Sequence, residues 1–126
     1  MKFLLDTHLL LWWLSNSRLL PAQARQLIGD PDNTIFVSAV SVWEVWLKSS
    51  MGKLRVPSSF AQKLAGEPFQ SLPLRAEHTP AVAMLEWHHR DPFDRMLIAQ
   101  ARSENLILLT ADSALGAYGR VVRVTS

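Results

Sequence analysis

Phe3-Leu4-Leu5-Asp6-Thr7-His8, at residues 3–8, decides how the rest of the chain is read. Three large apolar residues in a row lack the polar alternation of a half-exposed strand. They suit a short strand buried on both faces, the kind found in a parallel sheet covered by helices. The run stops at Asp6. In open parallel sheets the working site lies beyond the carboxyl ends of the strands, where the strand order reverses. An acid directly after a buried strand is therefore a candidate site residue.

Outward from that stretch, the chain alternates strand and helix. A second buried run, Leu106-Ile107-Leu108-Leu109, is followed closely by Asp112. Thr34 to Val37 reads as another strand, Phe69 to Leu74 as one weakened by Pro73, and Val121 to Val124 as the last. Helices are expected from Leu9 to Leu14, Pro21 to Ile28, Ser38 as cap to Ser50, Pro57 to Gly66, Pro80 to His88 and Asp91-Pro92 to Asn105, with a short one after Asp112. Right-handed crossovers between such units give a doubly wound sheet of five strands, helices on both faces. An order of 3-2-1-4-5 sets the ends of the first and fourth strands side by side, and with them Asp6 and Asp112.

The 126 residues make one domain's worth of chain, residues 1–126, with no repeat or linker. Thirteen Lys and Arg against eleven Asp and Glu leave +2, so charge alone argues for neither a nucleic acid nor a membrane partner. The absence of cysteine excludes disulfide scaffolds, thiol catalysis and cysteine-bound zinc. No window approaches the roughly 18 apolar residues of a membrane span. Asp6 interrupts the core that a signal peptide would need, and a cytoplasmic location is expected.

Three further acids sit on helices leaving the same end of the sheet. Glu44 falls in the helix after the second strand, on the edge of a stripe of Val40, Trp43 and Leu47 that is expected to be buried. Asp91 and Asp94 open the helix that feeds the fourth strand. Each acid has a plain structural use. Asp6, Asp91 and Asp112 suit helix caps, and Glu44 precedes Lys48 by four residues in the favoured orientation for a helical ion pair. Gathered in one place, however, the acids repel. Two unit charges 4 Å apart cost roughly 4 kcal/mol at an effective dielectric of 20. Either some are protonated or a dication lies among them, and oxygen-only donors suit Mg²⁺ or Mn²⁺. A carboxylate-held dication of that kind is suited to phosphodiester hydrolysis.

The segments Leu5-Asp6-Thr7-His8, Ser41-Val42-Trp43-Glu44-Val45, Arg90-Asp91-Pro92-Phe93-Asp94-Arg95 and Leu109-Thr110-Ala111-Asp112, in this order, resemble the PIN-domain family, and more closely the VapC-type toxins of bacterial type II toxin–antitoxin pairs. The likeness runs from Met1 to Tyr118. It implies a Rossmann-like sheet of order 3-2-1-4-5 and a Mg²⁺- or Mn²⁺-dependent endoribonuclease. It also implies that Asp6, Glu44, Asp94 and Asp112 are the catalytic acids. Asp6, Asp94 and Asp112 would be the main metal ligands, with Glu44 binding directly or through water. Asp91 stands between a metal role and a cap. Thr7 and Thr110 are placed to hold the acids or metal waters.

The resemblance further implies a VapB-type antitoxin that lies across the toxin, and a homodimer is expected. Trp46 and one of Trp12 and Trp13 are the candidate partner contacts. Lys48, Lys53, Arg55, Arg90 and Arg95 are candidates for a phosphate-binding rim, with pairing to a local carboxylate the alternative for Arg95. His88-His89-Arg90 lies beside the acidic helix start, either touching phosphate or in solvated loop, and no histidine is required for the chemistry. Two other classes remain open. An aspartyl-phosphate phosphatase would use Asp6 as nucleophile, although its usual second Asp, two residues on, is His8 here. A non-catalytic RNA- or partner-binding domain would be marked by loss of an acid, and none is lost.

Overall fold

A computed structural model describes residues 1–126. Five strands form one parallel sheet: β1 (Lys2–Leu5), β2 (Thr34–Ser38), β3 (Gln70–Leu72), β4 (Ile107–Thr110) and β5 (Val122–Val124), in the order β3-β2-β1-β4-β5. The chain winds outward from β1 through β2 to β3, then returns to the other side of β1 as β4. The order therefore reverses between β1 and β4, as the apolar runs predict.

Alternation along β1 divides the core. Phe3 and Leu5 point to one face, with Leu9 and Leu10 of α1 (Thr7–Leu14), Ala24 and Ile28 of α2 (Ala22–Gly29) and Phe60 of α4 (Phe60–Ala65). Leu4 points to the other, with Leu97, Ile98 and Ala101 of α6 (Pro92–Glu104) and with Leu108. Phe3, Leu4 and Leu5 are all fully buried. Burying each such side chain contributes about 1.5–3 kcal/mol. The remaining helices are α3 (Ala39–Ser50) and the short α5 (Thr79–Ala83). No helix is long and apolar enough to cross a membrane.

The boundaries that moved have physical causes. α4 starts at Phe60 rather than Pro57, whose carbonyl instead closes a turn with the Phe60 N–H at 3.0 Å. β3 is trimmed to Gln70–Leu72. Pro73 has no N–H to continue it, and its carbonyl accepts from Gln100 Nε2 at 3.2 Å. The helix expected from Pro80 to His88 stops at Ala83. Arg95 donates to the carbonyls of Val82, Leu85, Glu86 and His89 and so holds the segment after Ala83 as a loop. The segment after Asp112 is a 3-10 helix, Ser113–Val121, with a break at Gly119, where φ is +80°.

Candidate metal centre

The carboxyl ends of β1 and β4 carry the first two acids. Asp6 follows β1, and its N–H donates to the Leu109 carbonyl at 3.0 Å, extending the β1–β4 pairing by one residue. Its side chain caps α1, with Oδ1 accepting from the Leu9 N–H at 2.8 Å. Oδ2 accepts from the Thr110 hydroxyl at 2.5 Å, a bond between residues 104 apart in sequence. The Thr110 hydroxyl oxygen in turn accepts from the Asp112 N–H at 3.0 Å. One threonine thus positions both acids across the reversal point.

The helical acids reach the same region by the same device. Asp91 caps α6, accepting from the Asp94 N–H at 2.9 Å, and Asp112 caps the 3-10 helix, accepting from the Ala114 N–H at 3.0 Å. Each uses one carboxylate oxygen, Oδ1, for the cap, which leaves Oδ2 uncommitted to it. Glu44 is 4% exposed, with one oxygen accepting from the Thr7 hydroxyl at 2.6 Å and the other paired with Lys48. The expectation that Thr7 and Thr110 hold acids is met.

His89, Asp94 and Asp112 each present a ligand atom, all within 4.8 Å of one another. The Asp94 carboxylate meets His89 Nε2 at 3.1 Å. His88 and His89 carry no periodic or motif signal that fixes this approach. It depends on the loop held over α6 by Arg95. Asp6 and Glu44 lie outside this tight set but within reach of its field.

That field is felt in the protonation of the acids. Burial pushes the Asp94 carboxyl up to about 6, the nearby Asp91, Asp6 and Glu44 carboxylates push the same way, and His89 opposes them. Asp6 is also raised, chiefly by burial and slightly by Asp112, while its hydrogen bonds from Thr110 and Leu9 pull it back. Lys48 is held above the usual lysine range by its bond to Glu44, reinforced by Asp91 and Asp94. Ser41 Oγ, one turn before Glu44 on α3, is the one buried side-chain polar atom without a hydrogen-bond partner. Oxygen donors, a deficit of positive charge and an unpartnered hydroxyl on the Glu44 helix are compatible with a hard dication and its waters.

Two expectations need correction. Trp43 is not buried but 57% exposed, with its ring against Phe93 at 4.9 Å between centroids. The buried face of α3 is Val40, Ser41, Glu44 and Val45, a stripe turned away from Trp43. Arg95 is no phosphate-binding rim residue. It is 3% exposed and bonded to backbone carbonyls and the Tyr118 hydroxyl. Trp46 is 45% exposed, as expected, while Trp12 and Trp13 are both half-buried.

Residues 3–121 match the PIN domain family. The chain belongs to that family. Solved structures share the PIN fold over nearly their full length at low identity. They include VapBC2 from Rickettsia felis bound to a promoter DNA fragment, with TM-score 0.74, 15% identity and 100% of both chains covered. A toxin–antitoxin complex from Klebsiella pneumoniae gives TM-score 0.65 and 20% identity over 96% of this chain and 95% of that one. VapBC-5 from Mycobacterium tuberculosis gives 0.62 and 21% over 98% and 97%. No curated protein matches this PIN domain. At these identities the structural likeness carries the fold, and it agrees with the sheet order read from the apolar runs.

Proposed function

We propose that this single PIN domain is a Mg²⁺- or Mn²⁺-dependent endoribonuclease acting as the toxin of a VapC-type toxin–antitoxin pair. The observation that carries the reading is the convergence of Asp94, Asp112 and His89, beside buried Asp6 and Glu44, at the reversal point of the sheet. Asp6, Asp94 and Asp112 would hold the ion, Glu44 adds its charge, and Asp91 fixes the start of α6 while facing the same field. His89, hydrogen-bonded to Asp94, is a further donor. A bound dication supplies charge to polarise a phosphoryl oxygen and to acidify a water.

The chain's own residues do the positioning. Thr110 aligns Asp6 with Asp112, and Thr7 ties Glu44 on α3 to the start of α1. Lys48 keeps a positive charge at the cluster's edge, on the route a phosphate would take. The phosphatase reading gains no support, because His8 is exposed and lies against Trp12.

The proposed partner is a VapB-type antitoxin, on the strength of the toxin–antitoxin complexes among the solved relatives. An apolar groove of about 960 Å³ between α3, α4 and β3, edged by Trp43 and Trp46, is the surface offered to it or to a second copy in a homodimer. The setting proposed is the cytoplasm, where RNA and antitoxin meet. The deciding experiment is RNA cleavage by the purified protein with Mg²⁺, Mn²⁺ or EDTA, alongside Asp6→Asn. Cleavage indifferent to EDTA rules out the mechanism. Absence of cleavage across metals and RNAs, with antitoxin still bound, favours a binding domain instead.

A further inference from the structure

A second, smaller cavity of about 330 Å³ lies on the other side of Trp43, a wall that it shares with the large groove. Its walls include Trp43, Trp87, Arg90 and Phe93. Three of these are chain neighbours of the acids: Trp43 precedes Glu44, Arg90 precedes Asp91 and Phe93 precedes Asp94. The elements that present carboxylates to one side thus present aromatic rings and a cation to the adjoining side. Small-molecule sites start at about 300 Å³, so this cavity has the scale of one flat ring system, not of a helix.

Trp87 gives the cavity its chemistry. It is 76% exposed, an unusual state for an indole, yet it is not loose. The Arg95 guanidinium lies 3.8 Å from the ring centroid and covers one face. Arg95 is itself buried and fixed by bonds to the Val82 and Glu86 carbonyls at 3.1 and 2.9 Å. The indole is therefore clamped from beneath, with the opposite face open to solvent. Phe93 and Trp43 supply a second aromatic wall, and Lys48 Nζ stands 5.6 Å from the Phe93 centroid, between this wall and the acids. Aromatic faces next to cations are how single-stranded nucleic acid is held, bases stacking while the backbone meets positive charge.

We propose that this cavity is a nucleobase subsite: an unpaired base adjacent to the scissile phosphate enters it and stacks against the Trp87 ring, with Arg90 and Lys48 meeting the flanking phosphates. The assignment rests on the nuclease reading of the acids. A base stacked within a helix has no free face to offer and would have to leave it.

The test uses Asp6→Asn protein in Mg²⁺, in which the asparagine can still cap α1. Binding of a mixed-sequence single-stranded RNA octamer is compared with that of an octamer abasic at every position. The intact octamer binds about tenfold tighter or more than the abasic one. Trp87→Ala removes that preference, and Trp87→Phe keeps most of it. Equal binding of both octamers by protein that retains Trp87 overturns the proposal whether or not the alanine variant folds. An undiminished preference in Trp87→Ala also overturns it, and a simultaneous loss of antitoxin binding would reassign the cavity to a protein. Cleavage by the unsubstituted protein with Mg²⁺ or EDTA is scored separately. Metal-dependent cleavage without base preference removes the subsite alone. Trp87-dependent base preference without cleavage removes the nuclease reading and leaves the subsite.

Discussion

Asp94 and Arg95 are neighbours on one helix, and their surroundings could hardly differ more. Arg95 is 3% exposed and surrounded by acceptors from five residues, so its charge is fully met by the protein. Asp94 faces a single side-chain partner, His89, and its burial, reinforced by a field of like charges, pushes its carboxyl up to about 6. A group that serves the fold finds its partners within the fold. A group that serves a ligand is left short of them, and the shortfall specifies the missing partner's sign and hardness. Burial does not separate the two, since Asp6 and Glu44 are almost as buried as Arg95.

Substitution should separate these neighbours cleanly. Asp94→Asn or Asp112→Asn is expected to lower metal-dependent RNA cleavage by about 100-fold or more, since loss of even a supporting partner typically costs 10–100-fold. Circular dichroism melting of the same metal-free variants should show stability kept or raised, because a repelling charge has gone. A fall of several degrees would mean that the carboxylate is structural and break the contrast.

Arg95→Met is expected to do the reverse. It strands several carbonyls and uncovers Trp87, and should destabilise the protein by about 3 kcal/mol in urea unfolding. Unchanged stability would show that water replaces the guanidinium without loss.

The pH response sharpens the comparison further. The Asp94 carboxyl is raised from 3.8 to about 6 in the fold. Its contribution to metal-free stability is fully present below its unfolded value, near pH 4, and is lost as pH rises through about 6. The metal-free protein should therefore melt a few degrees lower at pH 7 than at pH 5 as far as this group is concerned. Stabilisation by Mn²⁺ should run the other way, emerging above pH 6 as the carboxylate ionises. An Asp94→Asn protein should lose this opposition, and an opposition that persisted would point to another group.

The smallest effect is expected at Thr110→Val, which leaves the Asp6 charge but removes its hydrogen bond and the acceptor for the Asp112 N–H. Metal affinity measured by calorimetry should weaken by about tenfold. No change would mean that Asp6 is positioned by its cap alone.

The frame of this contrast was legible in the residues. Phe3-Leu4-Leu5 and Leu106-Ile107-Leu108-Leu109 have no polar alternation, which dictates parallel strands, and the acids follow the strand ends by one to three residues. Thr7 and Thr110 were legible for the same reason, being adjacent to those ends. What escaped depends on contacts between distant segments. Trp43 sits at helical spacing from Val40 and Leu47, yet the helix is rotated so that Ser41 and Glu44 face inward. Arg95 reads as a surface cation because nothing nearby in sequence shows that a foreshortened α5 will supply its acceptors. The approach of His89 to Asp94 depends on that same loop.

The bond from Thr110 to Asp6 has a consequence for synthesis. β1 is made before the strand that completes its other edge, which follows more than a hundred residues later. A partly translated chain has Asp6 without Thr110, Asp94 or Asp112, and hence no assembled centre. The proposed activity would thereby be withheld until β4 and the turn that carries Asp112 have been made.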